Sequence, residues 1–116
     1  MLRQDVRWRG TLGNESNLPL VSIGIPTYNR PAALRRTLAC ITGQTYPNLQ
    51  IIISDNASTD PGVAEVVHDF VGLDNRIQYF CQSENRGPAF NFQFVREKAN
   101  GEYFMWAADD DWRDER

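Results

Sequence analysis

The feature that most limits what this chain can fold into is a repeated alternation of two periodicities. Leu20-Val21-Ser22-Ile23-Gly24-Ile25 is a short β-branched run stopped by Pro26, the pattern of a buried strand. Beyond Thr27, Tyr28, Asn29 and Arg30, Pro31 suits a first helical position, and Leu34, Leu38 and Ile41 follow at helical spacing as far as Gly43. The unit then repeats. Leu49-Gln50-Ile51-Ile52-Ile53-Ser54 predicts a second strand, Asp60 a cap and Pro61 a helix start, with Val63, Val66, Val67 and Phe70 on one face and Gly72 as the stop. A weaker third round runs from Arg76-Ile77-Gln78-Tyr79-Phe80 through Gly87-Pro88 into a helix bearing Phe90, Phe94 and Val95, with Asn100-Gly101 as its exit. A fourth strand is predicted from Glu102 to Ala107. Such alternation implies βαβ units with right-handed crossovers, hence an α/β fold with a mostly parallel sheet and helices on both faces. Ligands of such sheets bind beyond the carboxyl ends of the strands, so the loops after Ile25, Ser54, Phe80 and Ala107 carry the information about function.

At 116 residues, 41% hydrophobic and 23% charged, the chain suffices for one small domain and not for two. Residues 1–18 show no sustained periodicity and read as a mobile leader, leaving 19–116 as the folded part. A formal net charge of −3 provides no basic surface for phosphate neutralisation, which argues against a nucleic-acid partner. Cys40 stands in a helical pattern and Cys81 just past a strand pattern, so a disulfide scaffold is not expected and both read as inert core thiols of a reducing compartment. No apolar run approaches the roughly 18 to 20 residues of a membrane span, and no signal-peptide core is present. These features predict a cytoplasmic chain.

The first loop has neither Gly-x-Gly-x-x-Gly nor Gly-x-x-x-x-Gly-Lys, which removes dinucleotide oxidoreductases and P-loop NTPases. It offers instead the ring of Tyr28, suited to stacking on a base or to plain packing. The second loop sets Asp55 at a strand tip, where a carboxylate can accept a pyrimidine N–H or a ribose hydroxyl, while Asp60 reads as a helix cap. The third loop joins Asn85 and Arg86 to Gly87 at a helix N-terminus, either an ordinary turn with an Asn cap or a setting that favours an anion such as a diphosphate. After the fourth strand, Asp109, Asp110 and Asp111 crowd three carboxylates together, either a solvated turn or helix cap or an oxygen donor set suited to Mg²⁺ or Mn²⁺. An aromatic ring, a base- or ribose-binding acid, a basic turn and an acidic cluster on one sheet edge describe a nucleoside-diphosphate site.

At these residues the chain resembles the family 2 glycosyltransferases of the GT-A, Rossmann-like nucleotide-diphospho-sugar fold. The segment from Val21 to Arg30 is similar to the family's opening strand and loop, and Gln44-Thr45-Tyr46-Pro47-Asn48-Leu49 to its "Q-T-Y-P-N" lead into the second strand. Ser54-Asp55-Asn56-Ala57-Ser58-Thr59-Asp60 resembles the "D-D-G-S-T-D" turn, Asn85-Arg86-Gly87 the "N-x-G" element, and Gly101-Glu102-Tyr103 the entry to the strand ending in "D-x-D". The resemblance implies a metal-dependent, inverting transferase that moves a sugar from a nucleoside-diphosphate sugar, a UDP-sugar foremost, to a hydroxyl of a saccharide or lipid-linked acceptor. It implies donor contacts from Pro26, Tyr28, Asn29, Arg30, Asp55, Asn85, Arg86 and Asp109, and a divalent Mg²⁺ or Mn²⁺ held by Asp110 and Asp111. In the parent protein the site would lie in the cytoplasm, at the inner face of the membrane.

Two departures matter. Ala108 stands at the first acid of "D-x-D", and Ser54 replaces the first acid of the doublet, while Asp55 keeps the second. The family also continues well beyond this length, supplying the acceptor site and general base, so the chain is expected to be a truncated, donor-binding half that is inactive alone. Losing a general base costs about 10²- to 10⁴-fold in rate. A non-catalytic nucleotide-binding or regulatory module of the same fold is the alternative. A phospho-acceptor receiver domain would need paired acids after its first strand, where this chain has Pro26-Thr27-Tyr28.

Overall fold

The computed structural model describes residues 18–107. The proposed leader, apart from Leu18, and the cluster Asp109, Asp110 and Asp111 lie outside the described residues. Seven elements follow in the predicted order: β1 (Val21–Thr27), α1 (Pro31–Thr42), β2 (Leu49–Asp55), α2 (Pro61–Val71), β3 (Ile77–Cys81), α3 (Pro88–Lys98) and β4 (Tyr103–Trp106). Each helix opens on a proline, whose fixed φ suits the first turn and whose missing N–H would have no partner there. Asp60 caps α2 as the sequence predicts, accepting the Gly62 N–H at 2.8 Å.

All strand pairs are parallel, in the order β3-β2-β1-β4. The chain steps from β1 to β2 to β3 in one direction and then returns to lie on the far side of β1. With right-handed crossovers, that reversal sends α3 to the face opposite α1 and α2. The switch point falls between β1 and β4. Among the described residues no helix is long and apolar enough to cross a membrane.

The two faces of the sheet are held by different chemistry. On one, Ile23, Ile25, Ile51 and Ile53 meet Leu34, Leu38 and Ile41 of α1 and Val63, Val66 and Val67 of α2 in a continuous core. Fully burying each such side chain contributes about 1.5–3 kcal/mol. The other face mixes apolar and polar contacts: Ile52 and Val95 are fully buried on it, while the Ser22 hydroxyl donates to Gln50 Oε1 at 2.5 Å, and Gln50 in turn donates to Gln78 Oε1 and the Lys98 carbonyl and accepts the Asn100 N–H. Here α3 lies close, because Gly24 presents no side chain; a Cβ at that position would sit 2.6 Å from Val95 Cγ2.

Three local expectations are corrected. Pro26 does not stop β1, which pairs through Thr27↔Asp55. Gly24 accepts the Ala107 N–H, so its polar groups, and by alternation those of Pro26, face β4; the described pairing with β4 ends at Gly24↔Trp106, and no ladder donor is needed at Pro26. Helix α3 buries Asn91 along with Val95, while Phe90 and Phe94 are only half-buried, Phe94 packing edge-on against Phe80 of β3 and Phe90 against Phe94. Cys81 is exposed at the end of edge strand β3; only Cys40 packs against the core.

Candidate functional site

A cavity of about 480 Å³ opens at the carboxyl end of β1, on the α3 side of the sheet and at the switch edge. Its size falls within the range of small-molecule sites, roughly 300–1,000 Å³. Pro26, Thr27, Tyr28, Asn29 and Arg30 form one wall; Asn85, Pro88, Asn91 and Phe92, from the start of α3 and the loop before it, form the other, with Asn56 between. Tyr28 is 41% exposed, leaving its ring accessible at the mouth. The α3 N-terminus borders the cavity through Pro88, so the positive end of its dipole favours an anion there.

Five of the residues singled out from sequence, Pro26, Tyr28, Asn29, Arg30 and Asn85, therefore meet in one cavity. Asp55 and Arg86 do not line it. Asp55 is 3% exposed: its Oδ1 accepts the Ser58 N–H at 2.9 Å and the Ser58 hydroxyl at 2.6 Å, and its Oδ2 accepts the Tyr79 hydroxyl at 3.1 Å. Burial, reinforced by the Asp55 carboxylate, pushes the Tyr79 phenol well above its ordinary pKa, so that hydroxyl remains a donor. A carboxylate has about four lone-pair positions, so Asp55 keeps capacity for one further donor. The Arg86 guanidinium lies 4.6 Å from the centre of the Phe90 ring, a cation–π contact.

The residues that sequence reasoning missed are Thr27, Asn56, Pro88, Asn91 and Phe92. Asn91 carried a readable signal: it lies one helical turn before Val95, on the face that packs against the sheet, where an apolar residue would be expected. It is 3% exposed and donates to the Ser54 carbonyl at 3.0 Å and the Thr27 carbonyl at 3.4 Å, while accepting the Ser54 hydroxyl at 2.6 Å. Gln82 donates in turn to the Ser54 hydroxyl at 3.0 Å. Because both backbone carbonyls can only accept, the orientation of the Asn91 amide is fixed. Asn29 adopts a left-handed backbone, φ 52°, and its Oδ1 accepts the Thr59 and Asp60 N–H groups at 2.8 and 3.0 Å. Local hydrogen bonding of this kind makes such a conformation tolerable for asparagine.

Among the described residues no group of three or more His, Cys, Asp or Glu side chains is placed to hold a metal. The chemistry of the acidic cluster nevertheless suits one. Strand β4 runs parallel to β1 and brings Ala107 to donate to the Gly24 carbonyl at 2.9 Å, two residues before Pro26 of the cavity wall. Asp109, Asp110 and Asp111 follow in sequence, outside the described residues, and carry only oxygen donors, the ligand type of a hard divalent cation.

Comparison with known proteins bears on the family and the fold. The chain is 33% identical over 96 residues to an uncharacterized glycosyltransferase of Haemophilus influenzae, covering 83% of this chain and 38% of that protein. It is 35% identical over 95 residues to the GalNAc(5)-diNAcBac-PP-undecaprenol beta-1,3-glucosyltransferase of Campylobacter jejuni, covering 81% of this chain and 30% of that one. It thus spans about a third of the length of these relatives. Among solved structures, the mannosyltransferase PcManGT from Pyrobaculum calidifontis, in complex with GDP-Man and Mn²⁺, superposes with a TM-score of 0.73 at 26% identity over 84% of this chain and 29% of that one. S. aureus TarS 1-349 shares the fold, with a TM-score of 0.63 at 21% identity over 82% and 30% of the two chains. The family described as Glycosyl transferase family 2 matches residues 22–115, nearly all of the sequence after its first segment, and the chain belongs to that family.

Proposed function

We propose that this chain is the donor-binding part of a metal-dependent, inverting glycosyltransferase that passes a sugar from a nucleoside-diphosphate sugar to an acceptor hydroxyl. The observation that carries the reading is the cavity at the switch point, walled by Tyr28 and Arg30 on one side and by the start of α3 on the other. Similarity to a mannosyltransferase whose structure holds GDP-Man and Mn²⁺ supports it.

In this reading the Tyr28 ring packs on the base at the cavity mouth, and the diphosphate lies toward the α3 N-terminus and Arg30. Asp109 contacts the ribose. Asp110 and Asp111 would hold Mg²⁺ or Mn²⁺, which supplies Lewis-acid stabilisation of the departing diphosphate. Transfer forms a bond from the acceptor oxygen to the anomeric carbon as the bond to the diphosphate oxygen breaks, and the acceptor proton passes to a carboxylate that we assign to none of these residues. The acceptor is a saccharide or a lipid-linked glycan, the latter as named for the Campylobacter relative, and the site works in the cytoplasm at the inner membrane face.

Calorimetric titration with UDP and GDP, with and without Mn²⁺, tests the proposal. Binding of one of them, strengthened by Mn²⁺ in the native chain and unaffected by it in Asp110→Ala, is expected. No heat and no rise in Tm with either nucleotide and metal would overturn it.

A further inference from the structure

Three asparagines tie the loops of the carboxyl edge to one another. Asn29, after β1, accepts from Thr59 and Asp60 of the loop after β2, and its own N–H donates to the Ser58 hydroxyl at 2.8 Å. Asn56, the first residue after β2, reaches the loop after β3: its Nδ2 donates to Asn85 Oδ1 and to the Gly87 carbonyl, both at 3.1 Å, and its Oδ1 accepts the Arg86 N–H at 3.0 Å. Asn91, in α3, closes the circuit on the ends of β1 and β2.

Asn56 is the joint of this relay. It is 3% exposed, borders the cavity and makes three bonds to three consecutive residues. Its amide orientation is unambiguous, because the Arg86 N–H can only donate and the Gly87 carbonyl can only accept. The segment it holds contains Asn85 and ends at Pro88, both in the far wall, and turns into α3 through Gly87 at φ 91°, a conformation that disfavours side chains. A loop already held in place costs a ligand no ordering entropy when it binds.

We propose that Asn56 is a positioning residue of the donor pocket, its one side-chain amide fixing the β3–α3 loop as the wall against which the nucleotide binds. The proposal rests on the donor-binding reading given above. Asn56→Asp is nearly isosteric and keeps an acceptor for the Arg86 N–H, but sets a carboxylate oxygen against Asn85 Oδ1 and the Gly87 carbonyl; Asn56→Ala removes all three bonds. The experiment uses the 116-residue chain and measures amide hydrogen exchange at Arg86 without nucleotide, Kd for UDP and GDP with Mn²⁺, and Tm. Val67→Ala, in the core on the opposite face of the sheet, serves as a control for general destabilisation.

Arg86 exchange should accelerate in Asn56→Ala, and Kd should weaken about tenfold or more in both Asn56 variants, as expected for two or three lost hydrogen bonds. Val67→Ala should lower Tm and leave Kd unchanged, a separation that a merely structural role of Asn56 would not produce. If Asn56→Ala fails to fold, Asn56→Asp decides. A native chain that binds nucleotide with the same Kd as folded Asn56 variants overturns the positioning role alone, as does unchanged Arg86 exchange in a folded Asn56→Ala. A native chain that binds neither nucleotide overturns the donor reading and the positioning role with it.

Discussion

Substituting Gly24 by alanine tests the seat of α3 on the sheet, on which the cavity depends. The new Cβ would lie 2.6 Å from Val95 Cγ2, 2.9 Å from Val95 Cβ and 3.0 Å from Phe104 Cζ, whereas ordinary contact begins at 3.4 Å. Both Val95 and the backbone of β1 are buried, so neither gives way freely. Overpacking of this kind costs about 1–3 kcal/mol. Against it stands the backbone entropy that alanine removes from the unfolded chain, about 0.5–1 kcal/mol in a strand interior. The clash exceeds that gain over most of its range, and the expected net loss is about 1–2 kcal/mol. For a domain of this size that is a fall in Tm of roughly 4–15 °C. Urea unfolding followed by tryptophan fluorescence reads it, since Trp106 packs edge-on against Phe104 at 5.0 Å between ring centres. Val95→Ala removes the 2.6 Å contact, so the double variant should be more stable than the sum of the singles predicts, by at least about 0.5 kcal/mol. Equal or greater stability in Gly24→Ala, or strict additivity with Val95→Ala, would refute the close approach of α3.

Three further outcomes are expected. Asn91→Ala strips the buried Ser54 hydroxyl and two strand-end carbonyls of a partner; with Gln82 and the Asn56 N–H still serving two of those groups, the loss should be about 2–3 kcal/mol by urea denaturation. Asp74 is held below the ordinary carboxylate range chiefly by its hydrogen bonds to the Arg76 side chain, at 2.7 and 2.9 Å. Because its folded pKa is depressed, that stabilisation is complete above the ordinary value near 3.8 and fades as pH falls through the lowered one, so Asp74→Asn should flatten the stability profile in that acid window. Tyr28→Ala should leave Tm within about 1 °C of the native chain, as the ring is 41% exposed, yet weaken UDP or GDP binding about fivefold or more in calorimetry.

How much of the site was legible depended on where each residue's partners lie in the chain. Asp60 was readable because its partner is two residues away, the Gly62 N–H. Pro26, Tyr28, Asn29, Arg30 and Asn85 were readable because strand-helix alternation places their loops on one edge, and they line one cavity. Asn56 was not readable, since its partners lie about 30 positions away and nothing local distinguishes it from a turn asparagine; for Asn91 only its place one helical turn before Val95 was readable, not its partners 37 to 64 positions away. Pro26 misled for a related reason: a proline ends a strand only if its nitrogen faces a neighbour's carbonyl, and that depends on how far β4 extends.

The sequence by itself determined the element order, the helix starts at Pro31, Pro61 and Pro88, the apolar core beneath α1 and α2, and the family, because these follow from periodicities and caps a few residues long. The tertiary structure decided the rest. The return of β4 beside β1 put α3 on the second face, and Gly24 let it approach closely enough for Asn91 to reach two strands. It also turned Asp55 inward to Ser58 and Tyr79 and left the cavity wall to Asn56 and Asn91. The physical reason is that a buried polar group must find a partner wherever the fold brings one, and sequence separation does not limit that search.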